Sequence, residues 1–253
     1  MQTSDGKDII AGCEPWSADG GPHGALVVHG FTGNPQGLRG LASAFAGAGL
    51  AVDLPLLPGH GTSVDDMAGT RWDDWAEAAE AAYAALAERC DKVVVSGLSM
   101  GGTLTLWLAE RHPEIAGIVL VNALVDVPAE MVGPLQDLVD SGVDRIPAIG
   151  NDVADPAARE KAYDATPLEA LISLAAGAAH VRADLAKVAC PALVLTSTQD
   201  HVVDPLNSEL IAGGVSGPVE RVTLERSYHV ATLDYDKDLI EEQAVAFARR
   251  VTG

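Results

Sequence analysis

The chain has 253 residues, is 48% hydrophobic, and carries 36 acidic against 16 basic side chains for a formal charge of −20. That length and apolar content suit one large α/β domain with at most a modest insertion. An acidic surface repels nucleic acid and anionic headgroups, and no apolar run approaches the roughly 18 residues of a membrane span, so neither a nucleic-acid partner nor a transmembrane segment is expected.

The first residues, Met1 to Asp8, include neither a basic n-region nor an apolar h-region, which predicts no secretory leader. Cys13, Cys90 and Cys190 are far apart and odd in number. They fit neither a disulfide framework nor a zinc site, so a cytoplasmic setting and no metal are expected.

In chain order, strands are predicted at Ala25–His29, Leu50–Asp53, Lys92–Ser96, Gly117–Val121, Ala192–Thr196 and Val219–Leu224. Most are short and apolar on both faces, as parallel strands covered by helices should be. Helices are predicted between them. One covers Gln36–Ala48, with Asn34 as N-cap and Pro35 at the first position; another covers Trp72–Arg89, capped by Thr70. Gly102–Arg111, Leu206–Ala212 and Lys237–Arg250 complete the set. The alternation implies a mostly parallel, doubly wound α/β sheet. It breaks after Val121, where five prolines (Pro128, Pro134, Pro147, Pro156, Pro167) separate short helical patches and no strong strand is evident. The expected organisation is therefore a core of residues 1–122 and 181–253, with 123–180 inserted as a helical cap over the C-terminal edge of the sheet.

Lys92-Val-Val-Val-Ser-Gly-Leu-Ser-Met-Gly-Gly102 carries the most chemistry. It reads as a buried strand, a G-x-S-x-G turn and the start of a helix. In a Gly-rich chain the bare pattern is weak, and an idle serine on a strand-to-helix turn would share it. The β-branched strand before it and the apolar periodic helix after it are what a nucleophile elbow requires. Ser99 is then the nucleophile, on a tight turn from which Gly97 and Gly101 keep side chains away. The Met100 N–H at the helix start can stabilise an oxyanion.

A serine nucleophile needs a base and a group that orients it. Of seven histidines, His229 follows the last strand and so reaches the same sheet edge as Ser99. His60, in the Leu57-Pro-Gly-His-Gly61 loop, is more often a loop-shaping residue. Two carboxylates, Asp200 and Asp204, follow the Ala192–Thr196 strand. Asp200 is nearer the strand end, whereas Asp204 precedes Pro205 and reads as a helix N-cap. The chain order Ser99…Asp200…His229 is that of the α/β-hydrolases among triad folds. The second oxyanion donor is expected from His29-Gly-Phe-Thr-Gly33, at the Phe31 N–H.

These residues resemble an α/β-hydrolase over nearly the whole chain, and the finer resemblance is to small bacterial carboxylesterases and monoacylglycerol lipases. It is carried by H-G-F-T-G-N (29–34), L-P-G-H-G-T (57–62), G-L-S-M-G-G (97–102), Q-D-H-V-V-D-P (199–205) and S-Y-H-V-A-T-L-D-Y-D (227–236). The resemblance implies hydrolysis of neutral carboxyl esters, including monoacylglycerols, with no metal or cofactor, and a triad on Ser99, Asp200 and His229. It also implies that Asn122 and Glu160 hold the glycerol headgroup and that Ile149 shapes the pocket. An exposed helix charge is an equally simple reading of Glu160. Thioester, lactone or cofactor-free haloperoxidase chemistry on the same triad, and a non-catalytic ligand-binding use of the fold, stay open at this point, as does a homodimer.

Overall fold

In the computed structural model, which describes residues 1–148 and 151–253, seven strands form one twisted sheet. Along the chain these are β1 (Trp16–Ala18), β2 (His23–Val28), β3 (Ala51–Leu54), β4 (Lys92–Leu98), β5 (Gly117–Val121), β8 (Ala192–Ser197) and β9 (Val219–Leu224). Their order across the sheet is β1-β3-β2-β4-β5-β8-β9. All pair in parallel except β1, which runs antiparallel to β3 at one edge.

The double-faced apolar strands explain why this sheet is covered on both sides. In β2, Leu26 and Val28 enter one core and Ala25 and Val27 the other; β4, β5 and β8 alternate in the same way. Helices α1 (Arg39–Gly47) and α8 (Lys237–Thr252) close one face, with Leu41, Phe45, Ile240 and Phe247 buried beneath them. Helices α3 (Trp72–Ala87) and α4 (Met100–Arg111) cover the other, and α6 (Leu168–Asp184) packs on the outside of both. The buried positions of α3, namely Trp72, Trp75, Ala76, Ala79, Tyr83 and Leu86, follow the three-to-four residue spacing of a single helical face. Short α2 (Val64–Ala68) and α7 (Leu206–Gly214) complete the core layers.

Asn34 caps as its type predicts, its Oδ1 accepting the Gln36 N–H at 3.0 Å, although the first turn (Pro35–Leu38) is 3₁₀ before α1 begins. The cap of α3 differs from expectation. The N-cap is Arg71, whose N–H donates to Asp74 at 2.8 Å, while the Thr70 hydroxyl turns back to the Met67 carbonyl at 2.9 Å. Thr70 is drawn into closing the end of α2, so an acid inside α3 takes the capping role.

Between β5 and β8 lie α5 (Ala129–Asp140), a small antiparallel hairpin of β6 (Arg145–Pro147) and β7 (Ala165–Pro167), and α6. The hairpin was not expected. Each strand has three residues and ends in proline, so no alternation could develop, and the pairing depends on chain brought together across 17 intervening positions. Helix α6 continues past residue 180 and packs on the core, where an added Cβ on Gly177 would lie 2.1 Å from the Trp72 ring. No helix among the described residues is long and apolar enough to cross a membrane.

Candidate active site

Chain order along the sheet reverses between neighbours β2 and β4, and a crevice opens at the C-terminal ends of strands flanking such a switch point. The loop after β2 carries His29–Gly33, and the turn after β4 carries Ser99. Ser99 has φ 55° and ψ −120°, an unfavourable conformation for a residue with a side chain. The turn leaves no space around it. An added Cβ on Gly97 would lie 2.1 Å from the Gly101 oxygen, and one on Gly101 would lie 2.0 Å from the Val28 oxygen. Gly30 also lies against the turn, less tightly, since its Cβ would meet Ser99 Cβ at 3.3 Å and Oγ at 3.9 Å. Among the described residues, the non-glycine positions with positive φ are Thr32, Ser99 and Asn122, all in loops at this edge. Backbone strain concentrated in this way is a mark of a functional site.

Met100 is the first residue of α4, so its N–H has no partner within the helix. Neither it nor the Phe31 N–H donates to a protein group among the described residues. The Phe31 loop is held from below. The Leu57 N–H donates to His29 Nε2 at 3.1 Å, which leaves the proton on Nδ1 to donate to the Gly30 carbonyl at 3.0 Å. Burial, aided by neighbouring His60, drives the His29 imidazole down to about 3, and burial takes His60 to about 4, so both rings stay neutral. His29, His60, Phe31 and Trp75 meet edge to face, with centroids 5.0–6.4 Å apart. His60 shapes its loop through Nδ1 and the Pro58 carbonyl, 2.9 Å apart.

Asp200 and His229 come together from the loops after β8 and β9. Asp200 Oδ2 lies 2.7 Å from His229 Nδ1, with both side chains buried. The other Asp200 oxygen accepts the Val202 and Val203 N–H groups, each at 2.8 Å, which fixes the carboxylate. Asp204 is engaged elsewhere, accepting the Leu206 N–H at 2.8 Å as α7 begins.

Glu160 is half-buried rather than an exposed helix charge. Its carboxylate lies over the loop after β2, where a Cβ on Gly33 would come within 2.7 Å of Oε1 and one on Gly37 within 3.4 Å. Burial raises its pKa above the usual carboxylate value, and the field of His229 opposes that rise. Asn122 is committed inside the protein. Its amide nitrogen donates to Ser197 Oγ at 2.9 Å and to the His229 carbonyl at 2.8 Å, and its oxygen accepts the Ser197 N–H at 2.8 Å. Both amide hydrogens are taken, so no donor remains for the headgroup contact expected of Asn122. Ile149 lies outside the described residues. Two carboxylates not anticipated from the sequence also meet the His229 loop. Asp234 accepts N–H groups from Ala154, Asp155, Tyr228 and Tyr235, and Asp152 accepts that of His229 itself at 2.9 Å.

Residues 22–236 match the family model described as serine aminopeptidase, S33. The chain belongs to that family of α/β-hydrolases. It is thus a serine hydrolase, as the G-x-S-x-G elbow implied. It is 46% identical, over 97% of its own length and 98% of the relative's, to a thermostable monoacylglycerol lipase from Bacillus sp. strain H-257. A carboxylesterase of Bacillus subtilis strain 168 is 27% identical over 94% of this chain and 97% of its own. Among solved structures, one from work on LipS and LipT, two metagenome-derived lipolytic enzymes, superposes with a TM-score of 0.92 at 43% identity, covering 96% of this chain and all of that one. A Paleococcus ferrophilus monoacylglycerol lipase, 17% identical with a TM-score of 0.73 over 94% of this chain and 99% of its own, shares the fold.

Proposed function

We propose that this protein hydrolyses carboxylic esters, monoacylglycerols among them, through an acyl-enzyme on Ser99. The observation that carries the reading is the strained Ser99 on the sheet edge that also holds the Asp200–His229 pair and the Phe31 and Met100 N–H groups, neither of which has a partner among the described residues. His229 removes the Ser99 proton as Oγ attacks the ester carbonyl. The Phe31 and Met100 N–H groups hold the developing oxyanion, each contributing roughly 3 kcal/mol to barrier lowering. His229 then protonates the departing alcohol and activates the water that releases the acid. Asp200 keeps the proton on Nδ1 and stabilises the imidazolium.

The segment 123–180 serves as a cap that selects the substrate, and Glu160 accepts hydrogen bonds from the hydroxyls of a glycerol leaving group. The half-buried carboxylate beside His229 and the 46% identity to a lipase named for monoacylglycerols support this choice of substrate.

Ser99→Ala should lower kcat by roughly 10⁴-fold or more with unfolding behaviour unchanged. Phosphonate labelling of a residue other than Ser99 would remove the basis of the mechanism. Glu160→Ala separates the substrate classes. On a monoacylglycerol it should cost about 1.5–3 kcal/mol in kcat/KM, because a charged hydrogen-bond partner is lost. An aryl ester of the same acyl chain offers no hydroxyls and should be nearly unaffected; equal losses on both would make Glu160 a structural residue of the cap.

A further inference from the structure

We propose that Asp152, from the segment inserted between β5 and β8, is a positioning residue for His229, and that His201 holds Asp152 in that role. The inference rests on the reading of His229 as the general base.

His229 and Val230 lie in irregular chain after β9, and both are buried. No strand ladder serves their backbone N–H groups there, so these must find acceptors elsewhere. Asp152 supplies both acceptors. Its Oδ2 takes the His229 N–H at 2.9 Å and its main-chain carbonyl takes the Val230 N–H at 3.0 Å. On the other side of the same residue, Asn122 Nδ2 donates to the His229 carbonyl at 2.8 Å. The ring is held separately, by Asp200 on Nδ1 at 2.7 Å. His229 is therefore fixed at its N–H, its C=O and its ring by side chains from three different loops, and only Asp152 belongs to the inserted segment.

The Asp152 carboxylate is itself oriented. His201 Nδ1 lies 2.8 Å from Oδ1, and the His201 N–H donates to Oδ2 at 3.2 Å. His201 follows Asp200 in the chain and rests edge-on against the Tyr228 ring, with centroids 4.5 Å apart. Tyr228 precedes His229, so the contacts close a ring running from Asp152 through His201 and Tyr228 to His229 and back. The same inserted stretch also reaches the loop after β2: Asn34 Nδ2 donates to the Lys161 carbonyl at 2.6 Å, and the Lys161 N–H donates to Gln36 at 3.1 Å. One strap thus touches both the loop offering the Phe31 N–H and the loop carrying the histidine. A misplacement near 1 Å at a catalytic group can cost about a hundredfold in rate, so an acceptor at the histidine's own N–H is a sensitive point of control.

The test uses Asp152→Ala, Asp152→Asn, His201→Ala and the double Ala variant of the full chain, assayed on an aryl ester beside Ser99→Ala and His229→Gln. Thermal unfolding and the rate of phosphonate capture at Ser99 are recorded for each. Asp152→Ala should lower kcat and capture rate roughly ten- to a hundredfold with KM within about twofold. Asp152→Asn should restore most of the loss, because its oxygen still accepts the His229 N–H and its nitrogen can donate to a neutral His201 ring. His201→Ala should lower kcat less, and the double variant should be no worse than Asp152→Ala, since both act through one contact. Wild-type kcat in Asp152→Ala, a loss confined to KM, no rescue by Asn, or additive losses would each overturn the proposal. If Asp152→Ala does not fold, His201→Ala and Asp152→Asn decide by the same criteria. Near-parent activity in Ser99→Ala or His229→Gln instead overturns the triad reading; triad variants reduced as expected beside an unaffected Asp152→Ala overturn this inference alone.

Discussion

Two aspartates in the same loop make different contacts because of their positions. Asp200 leaves β8 pointing at His229, whereas Asp204 caps the start of α7. Asp200→Asn should place the imidazole proton on the wrong nitrogen and lower kcat by roughly 10⁴-fold with little loss of stability. Asp204→Asn should leave kcat within a few-fold and cost at most about 1 kcal/mol of stability, because an amide oxygen still caps. Parallel measurement of kcat and chemical unfolding on the two variants checks this; a greater kcat loss in Asp204→Asn would reverse the assignment. At this scale sequence reading reached Asp200 through its distance from the strand end. The residue type of Asn122 suits a headgroup contact, while in the fold its two amide hydrogens meet Ser197 and the His229 carbonyl.

At the scale of elements, the strand–turn–helix unit of β4 and α4 depends on glycines that are not interchangeable with others in the chain. Gly101→Ala places a methyl 2.0 Å from the Val28 oxygen, against backbone that cannot yield without moving β2. That variant should lose most activity and fold poorly. Gly213, inside α7, has nothing within 4 Å of an added Cβ. Gly213→Ala should stabilise the protein by about 0.5–1 kcal/mol through lower backbone entropy in the unfolded chain, with kcat unchanged. Paired denaturant melts and esterase assays test both; similar behaviour of the two substitutions would mean that the elbow relaxes more freely than its contacts imply.

For the whole molecule, buried titratable groups set how stability varies with pH. His29 and His60 have folded-state values near 3 and 4, below the usual histidine value. Their contribution is present above about 6.5 and is lost as pH falls, because the unfolded chain binds protons that the folded one refuses. Glu110 acts in the opposite sense. Burial raises its carboxyl to about 8, and its Oε1 has no hydrogen-bond partner among the described residues. Its contribution is full below about 4.5 and disappears as pH climbs to about 8, when the folded state must ionise a half-buried acid. Glu110→Gln should therefore raise the melting temperature relative to the parent at pH 8 and converge with it near pH 4.5. A constant difference across that range would show that Glu110 ionisation is not the cause.

Much of the sheet could be read in the chain because strands β2, β4, β5 and β8 are buried on both faces, a condition that each strand must meet with its own apolar residues. The elbow was legible because its strand, G-x-S-x-G turn and helix are contiguous in the chain; the crowding at Gly97 comes from Gly101 and Gly102 themselves, whereas that at Gly101 comes from Val28 and His29 at the end of the neighbouring strand. Asn34 as a cap and Asp200 as a strand-end carboxylate are likewise local. Strand β1 and the β6–β7 hairpin are too short to carry a pattern and exist through their partners. The clamp on His229 was beyond the sequence altogether. Asp152 lies 77 positions before His229 and 49 before His201, with no spacing or residue type to link them. Only packing of the inserted segment against the loops after β8 and β9 brings this carboxylate to a buried N–H, because a hydrogen bond depends on distance in space and is indifferent to distance along the chain.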